Sequence, residues 1–213
     1  MNLYHGSKLI ISHPKHAGSK KDNDYGPAFY LTKDLESAHE WACRGGTVGI
    51  VNEYNLDMRG LKILDLTDKD HYSVLNWLAI LLHYRTLDES FVRTFKSRLT
   101  FIEEHYYIEV NDYDLVIGYR ADDAYFRFPL DFIRGNLTLE QLEYSYKLGD
   151  LGIQHVITSE KGIRHLTFVR SFSSEEKYIN QYYANTKKAT NAFDDLDRDE
   201  KGTRIFDIIG DKK

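Results

Sequence analysis

Cysteine is almost missing from this chain. Among 213 residues there is one, Cys43, so no intramolecular disulfide can form and no cysteine-based metal site exists. That usage fits a reducing compartment. Long hydrophobic runs are missing too. The longest, around Trp77–Leu82, is far too short to cross a bilayer. The opening residues Met1–His16 lack the apolar core of a signal peptide, so a cytoplasmic protein, or an effector delivered without a cleavable signal, is expected. There is no basic excess: the formal net charge is −5, which gives no electrostatic case for broad nucleic-acid or membrane binding. Neither GxGxxG nor GxxxxGK[ST] occurs, which excludes the usual Rossmann and P-loop phosphate cradles.

Aromatic residues are abundant. Sixteen tyrosines and 11 phenylalanines, many in adjacent pairs such as Phe29-Tyr30 and Tyr182-Tyr183, serve a core and can also stack on a planar ligand. With 42% hydrophobic and 29% charged residues the chain is globular, and it is long enough to bury a substantial core.

Strand-like and helix-like stretches interleave. Strands are expected at Asn2–His5, Ala28–Thr32, Val48–Tyr54, Leu61–Leu66, Asp114–Gly118 and Ile153–Thr158. Helices are expected at Lys33–Cys43 with Thr32 as N-cap, at His71–Tyr84, at Glu89–His105, and over most of Leu130–Tyr146 with Thr138 as an internal cap. A final short helix is expected to begin in Glu160–Phe168. Residues 1–170 read as one α+β domain. Residues 171–213 read as a charged extension, helical or loosely ordered. Asp122 and Asp123 suit capping or a cleft rim better than a metal site, because no His or Glu stands nearby at ligand spacing; no required metal is expected.

Three stretches could carry chemistry. Leu3-Tyr4-His5-Gly6-Ser7 ends a strand with an imidazole, which can both donate and accept hydrogen bonds, followed by a glycine that admits a ligand to the backbone. Asp24–Thr32 runs from a loop into a strand with Tyr30 as a stacking face, and a helix starts at once. Leu151–Glu160 places Gln154, an amide able to bond a ribose hydroxyl, at the mouth of an apolar strand. Taken alone, the first and third stretches read more readily as structural, and the second reads equally well either way.

Together, in this order, they resemble the His-Tyr-Glu branch of the ADP-ribosyltransferase superfamily, of the diphtheria-toxin type. More closely they resemble the bacterial family DUF3990, through Leu3–Ser7, Pro14, Asp24–Thr32, Ala38, Trp41-Ala42, Tyr113–Gly118 with Ala121–Asp123, and Gln154 with Ser159-Glu160. The resemblance implies an α+β fold with split β-sheets around an NAD cleft. It implies NAD as co-substrate, with His5, Tyr30 and Gln154 catalytic and His5, Gly6, Ser7, Tyr25, Gly26 and Tyr30 binding NAD. It further implies a mono-ADP-ribosyltransferase, a toxin or effector acting on a protein, nucleic-acid or small-molecule acceptor and paired with an antitoxin or immunity protein. A catalytically degenerate binding protein and an NAD glycohydrolase are the alternatives. Gln154 stands where better-known members carry Glu, and Gly152 stands where arginine-modifying members carry an acid. Arginine acceptors are therefore disfavoured, and a Gln154→Glu change is expected to retain or raise NAD cleavage.

Overall fold

The computed structural model describes residues 1–121, 126–145, 152–197 and 201–211. Asp122 and Asp123 lie outside the described residues, as does Tyr146.

Seven strands form one mixed sheet: β1 (Asn2–Ser7), β2 (Phe29–Thr32), β3 (Ile50–Leu56), β4 (Ile63–Asp65), β5 (Leu115–Tyr119), β6 (Ile153–Ile157) and β7 (Leu166–Ser173), in the order β4-β5-β6-β2-β1-β3-β7. Only β4 and β5 run parallel; the other pairings are antiparallel. The fold is thus α+β, as expected. The two halves expected as separate sheets touch, but barely. β1 pairs with β3 from Asn2↔Asn55 to Ser7↔Ile50, yet meets β2 through the single pair Tyr4↔Thr32. Beyond that pair the strands diverge, and the sheet opens between β1 and β2.

Period-two alternation sorts the two faces of the sheet. Leu115 and Ile117 of β5, Ile157 of β6, and Phe29 and Leu31 of β2 enter a compact cluster with Leu3, Tyr54 and Leu56. Val116 and Val156 point the other way, into the larger core under the helices α2 (Val74–Tyr84), α4 (Lys96–Tyr106) and α5 (Arg127–Arg134). Gln154 lies two residues from Val156 and shares its side. His155 lies on the opposite side, buried, with neither ring nitrogen paired among the described residues; burial lowers its pKa to about 4 and keeps it neutral.

Helix α1 (Leu35–Cys43) crosses β1 and β3 at very short range. Its buried face is built from Ala38 and Ala42, and Gly6 of β1 lies beneath it. The N-cap is Asp34 rather than Thr32. Both carboxylate oxygens of Asp34 accept helix N–H groups, from Glu36 and Ser37, while Thr32 stays in β2 and its hydroxyl accepts from the Asp34 N–H. Helix α2 opens on a Ser73–Asn76 capping box. The helix expected over Glu89–His105 is broken at Phe95 into α3 (Glu89–Thr94) and α4. In the segment Leu130–Tyr146, α5 ends on Gly135 with φ +87°, and α6 (Leu139–Ser145) begins beyond it.

The segment Glu160–Phe168 departs most from expectation. A single turn, α7 (Glu160–Arg164), is followed by β7, which pairs with β3 along its whole length. The tail is helical. In α8 (Lys177–Asp194) Tyr178 is buried, its ring stacked on His39 of α1 at 4.5 Å. Phe193 at the end of α8 and Ile205 and Ile208 of α9 (Ile205–Asp211) join the core of the helical half. No described helix is long and apolar enough to cross a membrane.

Candidate functional site

The opening between β1 and β2 leads into a cavity of about 260 Å³. β1 contributes His5 and Gly6, the following loop Ser19, Asn23 and Asp24, and β2 Tyr30. Trp41 comes from α1 and Arg44 from its C-cap. Arg85 follows α2, Arg120 and Ala121 follow β5, and Gln154 comes from β6. A groove of 410 Å³ beside Tyr72 and Tyr119 is larger, but among the described residues only Lys69 and His71 line it with basic side chains. The β1–β2 cavity is lined by three arginines and a buried carboxylate, with Arg85 3.6 Å from Asp24.

His5 bridges the gap where the strands part. Its Nδ1 lies 2.7 Å from the Tyr30 carbonyl oxygen. A carbonyl can only accept, so Nδ1 carries the hydrogen, and in the neutral ring Nε2 is left as an acceptor. Burial lowers the His5 pKa, partly offset by that backbone bond, which favours the neutral ring near pH 7. The ring also stacks on Phe29, with centroids 4.7 Å apart. The dual donor–acceptor role expected of this histidine narrows accordingly: one nitrogen is spent on the fold, and the other can receive a ligand hydroxyl.

Tyr30 lines the cavity, and its hydroxyl donates to the Gly26 carbonyl at 2.6 Å and accepts from the Tyr25 N–H at 3.1 Å. The clamped turn needs glycine at 26: φ is +73°, and a Cβ there would meet the Tyr84 ring at 2.5 Å. Arg120 stacks over the Trp41 indole at 4.4 Å, and both residues line the cavity.

Asp24 is the buried charge of the site. Its Oδ2 accepts from the Ala121 N–H at 2.8 Å and from the Gln154 side-chain amide at 3.0 Å, and its Oδ1 lies 3.6 Å from Arg85. Burial pushes the Asp24 carboxyl up to about 6, against the opposing pull of these hydrogen bonds and of Arg85 and Arg120. The folded state therefore holds this proton more tightly than the unfolded chain does. The stabilising contribution is complete at low pH and is lost as pH rises through about 6. Asp24→Asn is accordingly expected to stabilise the fold near pH 8, by at most about 3 kcal/mol, with the gain shrinking toward pH 4. Thermal melts of both proteins across that range check the sign. An Asn variant equally destabilised at every pH would show the carboxylate to be a structural asset instead.

Of the residues singled out in the sequence, His5, Gly6, Tyr30 and Gln154 come together at this cavity. Ser7, Tyr25 and Gly26 do not line it. The Ser7 hydroxyl donates to the Leu9 carbonyl beside Asn52. Tyr25 is buried, its hydroxyl donating to the Tyr119 carbonyl at 2.8 Å, and Gly26 serves the Tyr30 clamp. Sequence reasoning passed over Asp24, Arg44, Arg85 and Arg120 as site residues. Asp24 opens a segment whose other members were chosen, and Arg120 precedes Ala121 in a matched motif, so both carried a signal. Arg85, alone after a helix, carried none. Among the described residues no cluster of three or more His, Cys, Asp or Glu side chains is placed to hold a metal ion.

Fold and cavity together define an α+β domain with a cavity at a seam in its sheet, lined by three arginines and a buried acid. Residues 1–168 match the family described as "Protein of unknown function (DUF3990)", and the chain belongs to that family. No curated protein and no solved structure matches it.

Proposed function

We propose that this protein is an NAD-dependent ADP-ribosyltransferase, using the β1–β2 cavity for the nicotinamide–ribose end of NAD. The observation that carries the reading is the convergence of His5, Tyr30 and Gln154 from three strands on one cavity, in the order that the superfamily resemblance assigns to them. A cavity of about 260 Å³ suits that end of the dinucleotide, with the rest leaving over the rim. Arg44, Arg85 and Arg120 supply the charge a pyrophosphate needs.

In this reading Tyr30 and the Trp41–Arg120 wall flank the flat ring, and His5 Nε2 accepts from a ribose hydroxyl. The bond from C1′ to the nicotinamide nitrogen breaks, and its electron pair leaves with nicotinamide. An acceptor lone pair then forms the new bond to C1′ as the acceptor's proton passes to solvent. Holding the ribose and shielding the developing cation supply the acceleration. Water as acceptor makes the same site an NAD glycohydrolase. The amide at 154 favours a second reading, a protein that binds NAD without cleaving it. Incubating the purified protein with adenylate-labelled NAD and a cell lysate separates the three. Label transferred to a macromolecule supports the transferase, free ADP-ribose alone the hydrolase, and binding without product the degenerate form.

A further inference from the structure

Asp24 and Gln154 stand 130 residues apart in sequence and meet at the cavity wall. An ionised carboxylate has no hydrogen to give, so it dictates which end of the amide it holds: Nε2 toward Asp24, Oε1 away. Among the described residues no donor reaches Oε1, and Gln154 lines the cavity. The Ala121 N–H and Arg85 hold Asp24 from other sides, so the acid is fixed before it fixes the amide. We propose that Asp24 is a positioning residue that locks the Gln154 amide with Oε1 as acceptor for a ribose hydroxyl, the two side chains dividing between them the work of one catalytic carboxylate.

This rests on the NAD reading above and deepens it. The amide oxygen takes the hydroxyl, and the negative charge sits one hydrogen bond behind, where a chain of aligned bonds transmits its polarisation toward the forming cation. Among the described residues the charged groups facing Asp24 are Arg85 and Arg120, and both favour its ionised form; Tyr25 and Tyr30 beside it are held neutral by burial. Protonating Asp24, or replacing it by asparagine, gives the amide a partner that can both donate and accept. The orientation of Gln154 is then no longer dictated.

The geometry also reverses the expectation that Gln154→Glu would help. A carboxylate at 154 would replace the donor that lies 3.0 Å from Asp24 Oδ2 with a second negative charge. The effect should vanish when the acid is moved rather than duplicated.

Four proteins test this: the parent, Asp24→Asn, Gln154→Glu and the double exchange. In thermal melts without NAD, Gln154→Glu should melt well below the parent at pH 8. That deficit should close toward pH 5, and the double exchange should remove it at pH 8. In nicotinamide release, Asp24→Asn should lower kcat roughly tenfold to a hundredfold with a smaller change in KM, although its fold is no less stable. The parent rate should fall as pH drops through about 6, and the Asn variant should lack that limb. The double exchange should recover part of the lost rate. Parent-like melting of Gln154→Glu at pH 8, or an Asp24→Asn variant with the parent's kcat and acid limb, would overturn the proposal. A parent protein that neither binds nor cleaves NAD would overturn the functional reading and this role with it, while the melting series still decides whether the two side chains are coupled.

Discussion

Valine at position 6 is expected to leave little folded protein at physiological temperature. A Cβ built on Gly6 falls well inside van der Waals contact with the Ala38 carbonyl oxygen and lies 2.5 Å from the Ala42 nitrogen. Those are backbone atoms of α1, so no rotamer change can relieve the clash. The helix must lift off β1 or the strand must bend. Overpacking of this kind costs about 3 kcal/mol or more against a total domain stability of roughly 5–15 kcal/mol. Lifting α1 also carries Trp41 and Arg44 away from the cavity wall, so any folded fraction should bind ligand poorly. Circular-dichroism melts and limited proteolysis measure the loss. A Gly6→Val protein with the parent's melting temperature would mean that α1 does not lie where it is described.

The second large effect separates activity from folding. His5→Ala is expected to lower NAD cleavage by about a hundredfold or more while the protein remains folded. The substitution strips the cavity of its Nε2 acceptor and frees the Tyr30 carbonyl. Losing one donor to that carbonyl costs about 1–3 kcal/mol, below the cost of the Gly6 change. Paired measurements of melting temperature and nicotinamide release decide it. If the rate falls only in proportion to the folded fraction, His5 is a structural bridge and nothing more.

Much of the sheet could be read from the sequence because its strands are short apolar runs closed by polar or glycine residues. The outline of the site could be read as well, since His5 and Tyr30 lie within compact motifs and Gln154 breaks an apolar strand. What escaped was everything that depends on partners distant in sequence. β7 is half exposed along an edge of the sheet, with Arg170 reaching Glu53 on β3 at 2.6 Å, so it shows no clean alternation and reads as the continuation of a helix. The break at Phe95 has neither proline nor glycine to announce it. The cap at Asp34 competes with an equally plausible Thr32 two residues earlier, and the bidentate carboxylate prevails because it satisfies two helix N–H groups at once. Asp24 reads as a loop residue until the fold brings Ala121, Arg85 and Gln154 around it.

The tail shows the same principle in the other direction. Its charge reads as an extension, helical or loosely ordered, and in the structure Tyr178, Phe193, Ile205 and Ile208 are spaced to bury against two different parts of the domain. The Tyr178 hydroxyl donates to Glu36 and the Asn185 amide to Glu40, both on the helix that carries Trp41. α8 thus braces the wall of the cavity from behind, and the residues beyond the family match are part of the same packed structure.

We propose that the seam between β1 and β2 cleaves NAD. Nicotinamide release by the purified protein, followed beside His5→Ala, tests it most directly. The parent protein is expected to release nicotinamide, faster when an acceptor-containing lysate is added, and the variant to release it only near background. No nicotinamide released by the folded parent protein, with or without lysate, would contradict it.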